Sequence, residues 1–315
     1  MSGNASPPRG FTRAEFLRLA GGVGAACLPG SDARGQQSEK AAMQTRTIPS
    51  SGEKLPVIGC GTWQTFDVGA DAAARKKLAS VLTTLFDTGG SVIDSSPMYG
   101  TSEDVAGSLV AELGARQKAF LATKVWTRGR DAGVRQIERS MQLLRTDRLD
   151  LMQVHNLLDW RIHLATLRDM KSRGRIRYLG VTHYTSGAYP ELEAVMRSEK
   201  LDFIQVNYSA DDRAAEDRIL PLAAERGMAV LINLPFGGGG LLRRLRSRPL
   251  PQWAAEIDCQ TWAQVLLKFI LGNPAVTCVI PGTANPEHMG ENAKAGFGAF
   301  LDEAQRKRVV AELNG

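Results

Sequence analysis

Four polar side chains stand where their types and spacing suggest shared chemistry. Asp94, Lys124 and His155 each close an apolar run of the kind that forms a buried strand, and Tyr99 follows Asp94 by five residues. A phenol, an ammonium, a carboxylate and an imidazole make a set for moving a proton, provided one structure brings them together. Taken singly, each has an ordinary explanation. Asp94 would be a helix cap, Tyr99 packing, Lys124 a solvated charge and His155 a satisfied structural residue. Their meaning therefore depends on whether the elements that carry them are neighbours.

From Thr45 onward the chain alternates between short apolar runs and helical patterns. Residues 45–49 and 54–57 flank Ser50-Ser51-Gly52-Glu53, a turn composition that predicts a β-hairpin. Strands are then predicted over 58–61, 91–94, 119–124, 149–155, 177–182, 203–206, 228–234 and 276–280. Helices are predicted over 71–87, 103–113, 134–144, 162–172, 189–197, 214–226, 261–271 and 286–294, with a last one over 302–313. The seventh strand is followed by a long loop before its helix. Strands that are apolar throughout, rather than alternating, are buried on both faces, as in a parallel sheet. Eight strand–helix units favour a closed (β/α)8 TIM barrel over an open sheet, with the N-terminal hairpin as a plug. The absence of GxGxxG after the first strand agrees. In such a barrel catalytic groups lie at the C-terminal ends of the strands. Strands two to four would thus deliver all four polar residues to one rim.

Those residues also sit in recognisable motifs. Ile93-Asp94-Ser95-Ser96-Pro97-Met98-Tyr99-Gly100-Thr101-Ser102-Glu103 resembles the Asp…Tyr-Gly-x-Ser-Glu signature of the aldo/keto reductases. Ala122-Thr123-Lys124-Val125 resembles that family's lysine strand, and Gln153-Val154-His155 its histidine strand. Gly59-Cys60-Gly61-Thr62-Trp63 is similar to the opening loop. Ile280-Pro281-Gly282 with Glu291-Asn292 is similar to the adenosine-phosphate segment. The resemblance runs from Thr45 to about Lys294.

It implies an oxidoreductase that reduces an aldehyde or ketone to an alcohol with hydride from NAD(P)H. Tyr99 would donate the proton. A tyrosine is a poor acid near neutrality, and a nearby Lys124 ammonium would favour its phenolate. Asp94 would hold Lys124 by an ion pair, and His155 would orient the carbonyl and stabilise developing negative charge. Gln205 would bond the nicotinamide carboxamide, with Thr182 and His183 standing where the family usually has Ser-Asn, and Tyr208 would stack on the ring. Pro235-Phe236-Gly237-Gly238-Gly239-Gly240-Leu241 resembles a pyrophosphate loop, whose glycines let backbone N–H groups approach phosphate. Thr62 and Trp63 in the opening loop, and Ile280, Pro281, Gly282, Thr283, His288, Glu291 and Asn292 in the last segment, complete the expected cofactor contacts. NADP is expected, with NAD as the alternative. Gly282, Ala284 and His288 lack the strong bases the family places there. Arg243 or Arg244, just past the glycines, is expected to supply the missing charge. Trp63 and Trp126 would wall the substrate site.

Two other readings are open at this point: a catalytically silent barrel that senses cofactor or binds a partner, and a metal-dependent hydrolase. The second needs clustered His and carboxylate ligands, and the four histidines are dispersed. Cys27, Cys60, Cys259 and Cys278 fit no zinc spacing, and Cys60 and Cys278 read as small core residues. The expected partner is a small carbonyl compound. A formal charge of +6 is scattered along the 315 residues without a groove-reading motif, so no nucleic-acid partner is expected. No apolar run is long enough for an integral membrane span. Oligomeric state is left open. Residues 1–44 read apart from the body: basic, then weakly apolar, then polar, the order of a secretory signal. Thr12-Arg13-Ala14-Glu15-Phe16-Leu17-Arg18 resembles a twin-arginine export signal with Ala14 in place of the second arginine. The periplasm is the expected location. The alternative is a disordered or short helical extension on a cytoplasmic enzyme.

Overall fold

The structure, a computed structural model, describes residues 42–314. The signal-like segment therefore lies, except for its last three residues, outside the described residues. The body opens with an antiparallel hairpin of β1 (Thr45–Thr47) and β2 (Lys54–Pro56), pairing Thr45 with Pro56 and Thr47 with Lys54. Eight parallel strands follow: β3 (Cys60–Gly61), β4 (Val92–Asp94), β5 (Phe120–Val125), β6 (Leu149–His155), β7 (Ile176–Thr182), β8 (Phe203–Asn207), β9 (Ala229–Asn233) and β10 (Cys278–Val279). Each pairs with the next in chain order. Bridges from Ile58 to Val279 and from Gly61 to Gly282 join the first strand to the last and close the barrel. Close neighbours on both sides explain the glycines of this strand. A Cβ on Gly59 would lie 2.7 Å from the Cβ of Val92 on β4, and one on Gly61 would lie 2.8 Å from the carbonyl oxygen of Ile280, across the closure.

Helices α1 (Ala72–Asp87), α2 (Ser102–Glu112), α3 (Arg130–Leu143), α4 (Trp160–Ser172), α5 (Tyr189–Ser198), α6 (Ile219–Glu225), α7 (Gly240–Leu245), α8 (Trp262–Leu271), α9 (Pro286–Lys294) and α10 (Glu303–Asn314) follow the strands and pack around them. Asp71 caps α1 by accepting from the N–H groups of Ala73 and Ala74, which fixes where that helix begins. Two regions differ from expectation. Residues 214–226 do not form one helix. A 3₁₀ turn at Ala214–Glu216 precedes α6, whose third residue is Pro221. Proline has no N–H to donate to the carbonyl four residues back and is tolerated only in a first turn, so the helix must start just before it. The long loop after β9 also contains α7, anchored by Leu241 and Leu245, both buried and one turn apart.

The interior of the barrel changes character along its axis. A buried apolar cluster joins Ile48 and Leu55 of the hairpin to Val92, Phe120, Ala122, Leu151, Tyr178, Phe203 and Leu231 of the strands. The hairpin thus closes the N-terminal end. Glu53 in its turn is held by Arg177, and by the Tyr178 hydroxyl at 2.5 Å. Side chains alternate across a strand, so stepping by two from these inward residues keeps to the same face. Val92 leads to Asp94, Ala122 to Lys124, Leu151 to Gln153 and His155, and Phe203 to Gln205. The same inward face is apolar at the bottom and ionisable at the top.

Candidate active site

At the C-terminal ends of the strands lies a cleft of about 820 Å³. Its floor is a buried ion pair. Lys124 Nζ is 2.6 Å from Asp94 Oδ2 and also donates to the Ser95 carbonyl at 2.6 Å. Asp94 Oδ1 accepts from Gln205 Nε2 at 2.9 Å and from Gln153 Nε2 at 3.3 Å. Two strands beyond the pair's own, β6 and β8, are therefore tied to its geometry through these side chains. Lys124 Nζ lies 5.2 Å from the centre of the Tyr99 ring, close enough for its charge to act on the phenol. The His155 ring stands edge-on to Tyr99, with centroids 6.0 Å apart. Its Nδ1 meets Ser96 Oγ at 3.0 Å.

The protonation states follow from burial and from Lys124. Burial alone would lower the Lys124 pKa, but attraction to Asp94 and Tyr99 outweighs it and the net shift is upward, so the ammonium persists. Burial pushes the Tyr99 phenol above its ordinary range, and the opposing pull of Lys124 does not cancel this. The expected effect of Lys124 has the right sign but is the smaller one in this setting. Burial, then the Lys124 charge, then His183, depress His155 to about 3, which keeps the imidazole neutral. Asp94, Tyr99 and His155 line the cleft directly, while Lys124 acts from behind Tyr99.

Of the other expected residues, Thr62, Trp63, Trp126, Thr182, Gln205, Pro235, Phe236 and Gly238 line the cleft. So do Ile280, Gly282, Thr283, His288, Glu291 and Asn292. Tyr208 does not. It is buried between the barrel and its outer helices, its hydroxyl bonded to Glu216 and Arg306 and its ring 6.0 Å from Phe269. One residue past the end of a strand whose last inward residue is Asn207, Tyr208 points outward, and it cannot stack on a ligand in the cleft. His183 also stays outside the lining. Its Nδ1 accepts the backbone N–H groups of Tyr184 and Thr185, at 3.1 and 3.3 Å. Leu241 is a core residue, Gly237 belongs to the turn backbone, and the Pro281 carbonyl accepts from Gly61 N–H at 3.2 Å in closing the barrel. Arg243 and Arg244 are displaced as well. The Arg243 guanidinium folds back against Gly239, and Arg244 pairs with Asp211 at 3.1 Å. One helical step further, Arg246 and Arg248 are the only arginine or lysine side chains that line the cleft among the described residues.

Sequence reasoning missed several lining residues. Asn156 and Asn233 each present a buried Oδ1 with no partner. Gln153 was within reach, because it lies two residues before His155 on the same face. A second cavity of about 800 Å³ opens at the opposite end of the barrel, around Arg116, Arg175 and Arg177 and their acidic partners. It contains none of the proton-transfer set.

Residues 57–311 match the model of the aldo/keto reductase family. The chain belongs to that family. It is 30% identical over 259 residues to the methylglyoxal reductase YeaE of Escherichia coli, covering 80% of this chain and 89% of that one. Among solved structures it resembles an aldo-keto reductase from Klebsiella pneumoniae in complex with NADPH, with a TM-score of 0.72 and 26% identity over 87% of this chain and 94% of the other. A second structure of an aldo/keto reductase from that organism, in complex with NADP and acetate, matches with a TM-score of 0.72 and 27% identity, over 85% and 93% of the two chains. This aldo/keto reductase is an enzyme of NAD(P)H-dependent carbonyl reduction. Neither a silent barrel nor a hydrolase accounts for the complete Asp94, Tyr99, Lys124 and His155 set. No group of three or more potential metal ligands occurs among the described residues.

Removing the cation tests the floor of the site. In Lys124→Met the Asp94 charge is left buried without its partner, and breaking such a pair costs about 3–5 kcal/mol. Urea unfolding of the variant is expected to show that loss, together with loss of turnover. A wild-type midpoint would mean that the pair is not buried as described.

Proposed function

We propose that this enzyme reduces a neutral aldehyde or ketone, with Tyr99 as the proton donor and NADPH as the preferred reductant. The observation that carries the reading is the buried Asp94–Lys124 pair set directly behind Tyr99, whose ring stands at the cleft. The residues also suit a dinucleotide. Gly237, Gly238 and Gly239 all have left-handed φ, and Gly238 has nothing within 4 Å of where a Cβ would stand, so a phosphate can approach the backbone at Gly238, while the N–H groups of Gly237 and Gly239 hold the turn by donating to the carbonyls of Leu234 and Phe236. The unpartnered Oδ1 of Asn233 faces the same cleft as an acceptor awaiting a donor. A bound nicotinamide supplies the hydride that goes to the carbonyl carbon.

The chain's own residues handle the proton. His155, neutral and fixed at Nδ1 by Ser96, presents Nε2–H to the carbonyl oxygen and helps to stabilise charge growing on it. Tyr99, kept protonated by burial, gives its proton to that oxygen as the charge develops. Lys124 stabilises the phenolate left behind, and Asp94 keeps Lys124 in place. Tyr99→Phe is therefore expected to lower kcat by about 10²–10⁴ with little change in the Kd for NADPH. In the wild type the rate of reduction should show no step near the ordinary histidine pKa of about 6.5, because His155 is held far below it. It should fall only in alkali, as Tyr99 loses its proton. Near-normal turnover by the variant, or a clear limb near pH 6.5, would contradict these assignments.

For the choice of cofactor, Arg246 replaces the expected Arg243 and Arg244. It lines the cleft on the rim beyond β9 together with Gly282 and His288, with Arg248 the one other permanent cation of the lining among the described residues, and a guanidinium suits phosphate. Arg246→Ala is expected to weaken NADPH binding by about 1.5–3 kcal/mol, the worth of a hydrogen bond to a charged group, and to leave NADH binding unchanged. Fluorescence titration with both cofactors checks this. Equal loss for both would place Arg246 on a phosphate they share.

The N-terminal segment supports a further part of the proposal, export to the periplasm. Its basic, apolar, polar order carries the reading. A twin-arginine-like route passes folded proteins, so the enzyme would leave with its nicotinamide bound. Cell fractionation with N-terminal sequencing is expected to find a shortened chain in the periplasm. Full-length protein confined to the cytoplasm would end this part of the proposal.

A further inference from the structure

A proton donor must stand within hydrogen-bond reach of the oxygen it serves, and a misplacement of about 1 Å can cost on the order of 10²-fold in rate. The Asp94–Lys124 pair fixes what lies behind the Tyr99 phenol. Where the phenol stands is set by the loop between β4 and α2 that carries it. The Tyr99 N–H donates to the Ser96 carbonyl at 3.0 Å, and the Tyr99 carbonyl accepts the Ser102 N–H at 3.1 Å. Tyr99 therefore moves with the start of α2.

That start is held by a residue of a different loop. Asp67 lies between β3 and α1, and its Oδ1 accepts both the N–H and the hydroxyl of Thr101, each at 2.8 Å. The Thr101 hydroxyl in turn accepts the Gly69 N–H at 3.0 Å. Thr101 is the N-cap residue of α2, where a threonine ordinarily turns its oxygen onto its own helix. Here it makes no such bond. Its oxygen is committed across the two loops, and a carboxylate from outside the helix sits at its N-terminus, where negative charge is favoured. The clamp is itself anchored. Phe66, next to Asp67, is fully buried, and Arg75 of α1 donates to the Gly69 carbonyl at 3.0 Å.

Gly100 shows how close the contact is. It joins Tyr99 to Thr101 with a φ of +60°, a conformation that favours glycine. A Cβ there would also overlap the Asp67 carboxylate. Gly52, Gly114 and Gly129 share the left-handed φ but have nothing within 4 Å of a Cβ, so backbone conformation alone accounts for them. At Gly100 the glycine is required by Asp67 as well. Asp67 is exposed and does not line the cleft. The Thr101 N–H and then its hydroxyl hold the Asp67 carboxyl below its ordinary range, so both bonds are charge-assisted at neutral pH.

We infer that Asp67 is a positioning residue for the reduction: by clamping Thr101 from outside the cleft, it sets where the Tyr99 phenol stands. The inference rests on Tyr99 as the proton donor and adds the distant contact that places it.

The test measures the single-turnover rate of methylglyoxal reduction by the NADPH-bound enzyme, in water and in deuterium oxide. Asp67→Ala is expected to lower the rate by about tenfold to a hundredfold. The solvent isotope effect should rise with that loss, because proton transfer becomes the slower event, and the Kd for NADPH should not change. Asp67→Asn, whose amide oxygen can accept both Thr101 donors, should keep most of the rate and the wild-type isotope effect. Gly100→Ala should be harmful in the wild-type background and less so on top of Asp67→Ala, where the carboxylate it meets is gone. If Asp67→Ala does not fold, Thr101→Val carries the same test: a smaller loss with a raised isotope effect, restored in Thr101→Ser. An unimpaired rate in Asp67→Ala or its substitute, a loss with an unchanged isotope effect, equal losses in the Ala and Asn variants, or strict additivity with Gly100→Ala would each overturn the positioning role and leave Tyr99 as donor standing. A wild-type enzyme that binds NADPH but reduces no aldehyde or ketone would instead remove the underlying reading.

Discussion

A lysine ammonium with no exposure to water is tolerable only if its hydrogen-bonding capacity is met, and the upper barrel is built around meeting it. Lys124 donates to Asp94 and to the Ser95 carbonyl, and its charge lies 5.2 Å from the centre of the Tyr99 ring. Asp94 in turn accepts from Gln153 and Gln205, on β6 and β8. Such a pair adds little net stability, because desolvating both ions offsets their attraction. Its effect is on geometry. Any shift of one strand relative to its neighbours would leave a buried charge unmatched, so the register of β4, β5, β6 and β8 and the position of Tyr99 are coupled to one contact.

The pair is affordable because the lower half of the barrel is purely apolar. Phe120, Tyr178 and Phe203 pack on one another there with centroids 5.5–6.1 Å apart, under the hairpin residues Ile48 and Leu55. Burial of this kind supplies the driving force that the polar upper half lacks. It also makes the medium around Tyr99 and His155 poor in water. That low polarity is what raises one pKa and depresses the other. The stabilising and the reactive parts of the barrel are successive residues of the same strands.

The rim answers to different constraints. Loops after the strands carry many of the side chains that a ligand meets, and those after β3, β6 and β9 hold left-handed backbone at residues other than glycine: Gln64 after Trp63, Asn156 after His155 and Leu234 after Asn233. Non-glycine residues adopt that conformation at a cost of about 1–3 kcal/mol each when it is strained. Its recurrence directly after cleft residues shows that the strand ends are turned sharply, so that the next side chains point along the rim instead of continuing the sheet.

How much of this was legible beforehand depends on the range of the interaction involved. The eight strand–helix units, the hairpin and the strand-end placement of Asp94, Lys124 and His155 follow from local periodicity, and Leu149–His155 and Pro286–Lys294 were bounded correctly from sequence. The motif around Tyr99 was equally readable, because one continuous segment from Asp94 to Glu103 carries it. What failed was direction. Tyr208, three residues past the expected cofactor residue Gln205, turns outward because Gln205 and Asn207 occupy the inward positions of β8. The arginine that reaches the cleft is Arg246, since the short helix α7 turns Arg243 and Arg244 away from it. Chain order and side-chain alternation, both local, determined which residues arrive at the rim. Which of them face one another was decided by barrel closure and by the sharp turns of the loops, because those contacts join residues far apart in the chain and no pattern within a single segment encodes them.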